Sequence, residues 1–526
     1  MADAAGSGDI TAASRRAHLP LLAATFLIAA SGLVYELLAG TVSSYLLGDS
    51  VYQFSLVIGL FMSAMGLGAY LSRFVDEPEP AFVGTQVALG VVGGFSAPLL
   101  FYAFVFVESY EPFLLLVCVV VGALVGLEIP LLTRLLQRHQ ALPLNISNVL
   151  TADYIGALAA ALLFPLVLVP QLGLVATSLL FGLLNLAVAG LAAWLLRERL
   201  RRAYALALAL AAVPTAAALL ASPSIVGFLE GRLYEDEVVL TARTPYQSLV
   251  VTRDRDRVRL FLNGNLQFDS LDEYRYHEAL VHPAMGLASR RAEILVLGGG
   301  DGMAVREVLR HPGVERVTLV DLDPAVTDLF RDNRLLRALN ADSLRDPRVT
   351  IVNRDAHEFL ADTAGPAAVP LYDVILIDLP DPHHHATGKL YSRGFYADAA
   401  SRLARGGLLV TQATSPLYAR EAFWSIERTL AATADPYRLG RTLQTVPYHA
   451  YVPTFGEWGF VLAGPGALPP WERIALPEGL RFLTPAQLSS MRAFPPDMAA
   501  VPVDENTVLT HALVRYYERG WERWFR

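Results

Sequence analysis

Residues 294–303 read I-L-V-L-G-G-G-D-G-M, and this stretch decides the fold. Four apolar residues make a buried-strand run, and the glycines after them permit backbone conformations that other residues rarely take. Residues 303–310 then carry helical periodicity. Strand, glycine turn and helix start make a place where backbone can approach a nucleotide-like ligand closely. A second apolar run, 317–320, ends at Asp321, about 20 residues on, where an acidic side chain can hold a ribose diol. A third, 349–352, leads to Asp355, and a fourth, 374–377, ends at Asp378 in the string D-L-P-D-P. Four apolar runs with carboxylates at or just after their ends describe an open α/β sheet whose ligand sits at that edge.

Asp301 separates this site from a dinucleotide site. Its charge inside the glycine turn would repel a pyrophosphate, so an S-adenosylmethionine-type nucleoside fits better. A methionine carboxylate beside Asp301 is also disfavoured, which points to decarboxylated S-adenosylmethionine, with an ammonium and no carboxylate at that place. Asp378 and Asp381 add to a cation trap. One charge pair at about 4 Å and an effective dielectric of about 20 is worth roughly 4 kcal/mol before desolvation, enough to discriminate.

G-G-G-D-G, Asp321, the Asp355-Ala356 pair and D-L-P-D-P together resemble the spermidine synthases, which are polyamine aminopropyltransferases. Tyr246-Gln247, L-N-G-N-L-Q at 262–267 and D-E-Y-R-Y-H-E at 272–278 resemble that family's N-terminal β domain. The likeness runs over roughly 234–460, in family order, and the apolar chain before it is similar to the membrane-bound branch of the family. The resemblance implies transfer of an aminopropyl group from decarboxylated S-adenosylmethionine to putrescine or another small polyamine. The products would be spermidine and methylthioadenosine. The nucleoside is then a co-substrate, and no tightly bound cofactor is expected. Asp378 matches the proton acceptor. Gln247, Asp321, Asp355 and Ala356 match the nucleoside contacts, and Tyr276, His277, Asp301 and Asp381 the aminopropyl and polyamine contacts. Asp321 stands where glutamate is common, and Phe455 where many members have tyrosine. The lost hydroxyl leaves the acceptor open between putrescine, spermidine and another diamine.

At 526 residues the chain exceeds one ordinary domain. It is 54% hydrophobic and 17% charged, with mean hydropathy +0.40, above a soluble average. A net charge of −8 argues against a nucleic-acid partner and suits a polycation. The single cysteine, Cys118, allows no intramolecular disulfide. The apolar excess is concentrated before residue 223, in stretches at about 19–46, 51–72, 81–107, 112–133, 148–170, 172–196 and 203–221. Each is near the ~20 residues of a spanning helix. The last, rich in alanine and leucine with Pro214 inside, is the weakest.

Arg15, Arg16, Arg73, Arg134, Arg138, Arg197, Arg199, Arg201 and Arg202 fall in alternate connections, which places the N-terminus on the cytoplasmic side of a cell membrane. Six spans keep the C-terminal half on that side, and seven put it outside. Glu36, Glu128 and Asp153 lie within the stretches and read either as a cation path or as hydrogen-bonded packing contacts. The G-x-x-x-G at 122–126 reads as helix packing.

The expected order is a tail (1–18, disordered by composition), a membrane domain of about seven helices (19–222) and a small β domain (223–290). A Rossmann-like domain of S-adenosylmethionine-methyltransferase type (291–466) and a helical tail (467–526) follow. The β domain is expected to feed substrate-contacting loops onto the sheet edge. Asn263-Gly264 is its hairpin turn signal. Adjacent histidines at His383, His384 and His385 do not present metal ligands as spaced motifs do, so no metal is expected. Partners are the polyamine, the lipid bilayer and, in an assembly, a second copy of the chain as a homodimer. Two other functions share these features: an S-adenosylmethionine-dependent methyltransferase, and a polyamine transporter or sensor whose second half only binds.

Overall fold

The structure, a computed structural model, describes residues 8–47, 50–107, 110–136, 142–195, 203–362 and 371–524. Two units divide between Glu237 and Val238.

The first unit is helical: Gly8–Leu47, Ser50–Leu71, Pro78–Val92, Ser96–Phe106, Tyr110–Leu136, Leu142–Leu163, Val169–Leu195, Ala203–Leu220 and Ser222–Leu233. The helix from Gly8 corrects the disorder expected over 8–18, since the apolar helix extends N-terminally by several turns, and residues 1–7 lie outside the described residues. The helix Ser222–Leu233 corrects the expected β-domain start at 223; Pro223 sits at its first turn, where a missing N–H costs nothing. Among the described residues four helices, Ala23–Ser44, Tyr52–Phe74, Tyr110–Leu135 and Ser147–Trp194, are long and apolar enough to cross a bilayer, and two bent pairs would raise the number to 6. Ser147–Trp194 has 48 residues. At about 1.5 Å per residue it would be about 72 Å long, over twice the ~30 Å hydrocarbon core. Gly173, with φ 77°, breaks it.

Close helix approach holds this unit together. A Cβ on Gly122 would lie 2.9 Å from the Phe61 carbonyl oxygen, and one on Gly126 would strike the Met65 carbonyl. The G-x-x-x-G is therefore a packing seam. Glu128 is buried and accepts a hydrogen bond from Gln86 Nε2 at 2.5 Å, while Glu36 and Asp153 are partly buried. Arg134 donates to the Ser72 and Val75 carbonyls at 3.2 and 2.7 Å, beside Arg73. The side chains of Arg15 and Arg16, and residues Arg138, Arg197, Arg199, Arg201 and Arg202, lie outside the described residues.

The second unit has two sheets. Strands β1 (Glu237–Arg243), β2 (Ser248–Asp254), β3 (Arg257–Leu262) and β4 (Asn265–Asp269) form a meander in that order. Asn263 (φ 51°) and Gly264 (φ 80°) make the tight turn between β3 and β4, the left-handed pair that a two-residue hairpin needs. The larger sheet holds β5 (Glu293–Gly298), β6 (Arg316–Asp321), β7 (Val349–Asn353), β8 (Tyr372–Asp378), β9 (Leu403–Gln412), β10 (Gln444–Val452) and β11 (Gly456–Gly464). Its order is β10-β11-β9-β8-β5-β6-β7. The five strands β5 to β9 are parallel, and β10 and β11 close one side antiparallel. Ile294, Leu295, Val296 and Leu297 are all wholly buried, as are Val374 to Ile377 on β8. Each such side chain contributes about 1.5–3 kcal/mol on burial, which explains the unbroken apolar runs of strands covered on both faces. Sequence order reverses between β5 and β8, so the crevice beyond their C-terminal ends is where a ligand belongs.

The helix Glu273–Leu287 packs in the same core as this sheet rather than with the meander alone. Residues 467–526 contain a single-turn helix at Trp471–Arg473, then Pro485–Ser490 and Ala512–Glu522, so most of the tail expected to be helical is irregular. Its prolines withhold the N–H groups that a longer helix would use.

Candidate active site

The β5 turn is squeezed between two carboxylate-bearing strand ends. Gly298, Gly299 and Gly302 have φ of 80°, 69° and 76°. A Cβ at Gly298 would strike the Asp378 carbonyl, and one at Gly300 would lie 2.6 Å from Asp321 Oδ2. Backbone takes the place of side chain there, leaving Asp301 as the turn's only carboxylate.

Asp321 accepts backbone N–H bonds from Gly300 and Asp323, both at 3.0 Å, which fix its orientation at the end of β6. Burial pushes its carboxyl up to about 6 despite those two donors. Gln247, in the β1–β2 loop, reaches the same edge: its Nε2 donates to Asp323 Oδ2 at 3.0 Å, beside Thr244 Oγ1 at 2.8 Å. Asp355 caps the helix Ala356–Ala361, accepting from His357 N at 2.7 Å and Glu358 N at 3.4 Å, with Lys389 Nζ at 3.4 Å. Burial would raise its carboxyl, but the His357 N–H and Lys389 bring it below the usual range. These carboxylates carry structural bonds of their own, and each keeps lone pairs for a ligand.

On the β8 side, Tyr276 Oη donates to Asp378 Oδ1 at 2.6 Å. Tyr276 and His277 come from the first turns of the helix Glu273–Leu287 and not from a loop of the β domain, a correction to the expected origin of these contacts. Desolvation pushes the Asp378 carboxyl up to about 6; His277 pulls it down, Asp301 adds to the rise and the Tyr276 hydroxyl opposes it. Burial works against a charged His277. Its Nδ1 lies 2.8 Å from Glu273 Oε2, and this bond, with Asp301 and Asp378 nearby, lifts the imidazole to about 9. An imidazolium therefore sits among the acids at pH 7. Asp301 is raised by burial, with His277 and the Met303 N–H opposing.

Asp381 follows in the irregular segment after β8. It accepts from Gln412 Nε2 at 3.1 Å, Thr414 Oγ1 at 3.2 Å and Tyr517 Oη at 2.9 Å. Burial still raises it. The D-L-P-D backbone is clamped by Tyr391 Oη, which pairs with the Leu379 and Pro380 carbonyls at 2.9 and 3.0 Å and with Gln412. The three histidines diverge. His383 pairs with the Asp381 carbonyl, His384 caps a short helix through Thr387, and His385 meets His511 edge to face. Among the described residues no three of His, Cys, Asp and Glu are placed to hold a metal ion.

Sequence reasoning missed Glu273, Arg306, Gln412, Thr414 and Tyr517. Arg306 donates to both Glu273 oxygens, at 3.0 and 2.9 Å, and so orients the acid that charges His277. Glu273 alone had a signal, as the first glutamate of D-E-Y-R-Y-H-E. The others come from distant elements with no local pattern.

Fold and site together define a Rossmann-like α/β unit with buried carboxylates gathered at the C-terminal edge of its parallel strands. The spermine/spermidine synthase domain model matches residues 273–465. The chain is 45% identical to the polyamine aminopropyltransferase of Leptospira interrogans, over 96% of this chain and 99% of that one. It is 39% identical to that of Mycobacterium tuberculosis, over 98% and 99%. Among solved structures, the spermidine synthase of Thermotoga maritima is 25% identical, with a TM-score of 0.43 over 49% of this chain and 85% of that one. The chain belongs to the spermidine synthase family, the polyamine aminopropyltransferases.

Proposed function

We propose that Asp378 is the proton acceptor of the aminopropyl transfer that this family member performs. The observation that carries the assignment is the Tyr276–Asp378 bond at the sheet's switch point, facing the glycine turn. Decarboxylated S-adenosylmethionine is the co-substrate. Asp321, Gln247 and the Asp355-Ala356 pair line the nucleoside edge. Asp301 and Asp381 take ammonium groups, and Tyr276 and His277 orient the chain between them.

The acceptor amine arrives as an ammonium with a solution pKa of about 10. Asp378 takes one of its protons and frees a lone pair. The nitrogen attacks the carbon next to the sulfonium, and the C–S electron pair goes to sulfur. The leaving thioether is neutral methylthioadenosine and needs no proton. The new C–N bond leaves a secondary ammonium, held by the remaining carboxylates. Putrescine is the proposed acceptor, giving spermidine. A product assay over an amine panel tests this choice, and preference for spermidine over putrescine would overturn it.

The first unit is proposed to sit in the cell membrane as a multi-pass bundle. Large apolar residues on its outer surface support this: Met62, Leu116, Leu158 and Leu166 are 63, 58, 61 and 70% exposed. A bilayer would cover them. Counting the pair broken at 93–95 as one span and Ser147–Trp194 as two gives six. Ala203–Leu220, with Pro214 inside and a 65° bend to the next helix, is then a surface element rather than a seventh span. Six spans with Arg73 and Arg134 at one end put the N-terminus and the catalytic unit in the cytoplasm. Cysteine accessibility on either side of intact cells tests the topology. The homodimer is proposed on the sequence expectation alone, and the mass of the solubilised protein tests it.

A further inference from the structure

The helix Ala512–Glu522 lies beyond the residues that the family model matches, yet it touches the catalytic edge. Tyr517 Oη donates to Asp381 Oδ2 at 2.9 Å, and its ring packs 5.9 Å from Trp521. Trp521 in turn packs on Tyr418, 5.2 Å away. Tyr418 fills the space where a Gly456 side chain would be: a Cβ there would lie 2.8 Å from its ring. Gly456 follows Phe455, whose ring faces Trp458 at 5.2 Å, and Trp458 lies 6.4 Å from Tyr276. One helix therefore touches Asp381 directly and reaches the aromatic series Phe455, Trp458 and Tyr276 through Tyr418. Gly520 fixes its depth, since a Cβ there would meet Ala419 Cα at 2.7 Å.

We infer that the C-terminal helix is part of the acceptor site and that Tyr517 is a positioning residue for the acceptor ammonium. This rests on the reading of Asp381 as an ammonium-binding carboxylate. An O–H bond to one carboxylate oxygen fixes the plane of the group, so the free lone pairs face one direction. Phe455 offers no hydroxyl to the acceptor. Tyr517 brings one to Asp381 from the end of the chain.

The test is steady-state kinetics of the full chain in detergent with Tyr517→Phe and, separately, Asp381→Asn. Tyr517→Phe keeps the ring against Trp521. It should raise the KM for putrescine about tenfold or more, the loss expected for one charge-assisted hydrogen bond. The KM for decarboxylated S-adenosylmethionine should stay within about twofold, which also reports an intact nucleoside half. The hydroxyl favours the ionised carboxylate, so its removal should move the acid limb of kcat/KM for putrescine to higher pH. A purely structural role would raise both KM values together and leave that limb in place, which overturns the proposal. An unchanged putrescine KM in Tyr517→Phe, with a raised one in Asp381→Asn, overturns it too. An unchanged putrescine KM in Asp381→Asn removes the underlying reading of Asp381.

Discussion

The Tyr276 hydroxyl and the Asp378 carboxylate are 2.6 Å apart, joined across 102 residues of sequence at the mouth of the crevice between β5 and β8. Burial holds Tyr276 far above its ordinary pKa, with Asp378 adding to the rise, so it remains a donor. Among the described residues the Tyr276 bond falls on Oδ1 of Asp378, which leaves Oδ2 to receive a proton.

Asp378→Asn should lower turnover at least about 10²-fold, the usual contribution of a general base. Nucleoside affinity should survive, because Asp321 and Gln247 are untouched. Rapid-quench turnover and calorimetry check this, and near wild-type turnover would remove Asp378 from the role.

The pH profile has a defined sign. With its carboxyl pushed up to about 6, Asp378 is ionised at pH 7 and protonated below that point, so kcat/KM should fall on the acid side of about pH 6. Tyr276→Phe removes a bond that favours the charged form. Its acid limb should move to higher pH. A limb that stays in place would detach the profile from this pair.

Asp301→Asn tests co-substrate choice. The variant should bind decarboxylated S-adenosylmethionine more weakly and relatively favour S-adenosylmethionine, because the repulsion of a methionine carboxylate is gone. Unchanged affinity ratios in calorimetry would remove the electrostatic argument. His277, lifted to about 9, offsets part of the negative charge at pH 7, so the effect should grow above pH 9.

A fourth expectation concerns stability. Glu278 is buried and accepts three backbone N–H bonds, from Arg481 at 2.8 Å and from Phe482 and Leu483 at 2.9 Å. Glu278→Gln turns an amide N–H₂ toward donors, and each unsatisfied group costs about 1–3 kcal/mol. Thermal unfolding in detergent should show a lower Tm, with faster proteolysis near 479–490. An unchanged Tm would contradict the account of this anchor.

What could be read early was what repeats locally. The apolar runs ending at Asp321 and Asp378 are β6 and β8, and Asn263-Gly264 is the tight turn, because strand burial and turn conformation are set by neighbours in sequence. What escaped depends on tertiary reach. Gln412 and Tyr517 meet Asp381 across 31 and 136 residues, and no periodicity marks them. Strand β10, with Pro447 inside, lies on the sheet edge, where a proline costs no ladder bond on its open side. Asp355 and Gln247 carry a second role that their motifs do not show. Their motifs singled them out for the ligand, yet their side chains also cap a helix and hold Asp323.

The central claim is aminopropyl transfer with Asp378 as the base, and product analysis tests it most directly. Purified full-length protein would be incubated with decarboxylated S-adenosylmethionine and putrescine, with methylthioadenosine and spermidine followed by mass spectrometry. The account predicts equal amounts of both from wild type, and at least about 10²-fold less from Asp378→Asn. Binding of both substrates without methylthioadenosine release, or methyl transfer from S-adenosylmethionine instead, would contradict it.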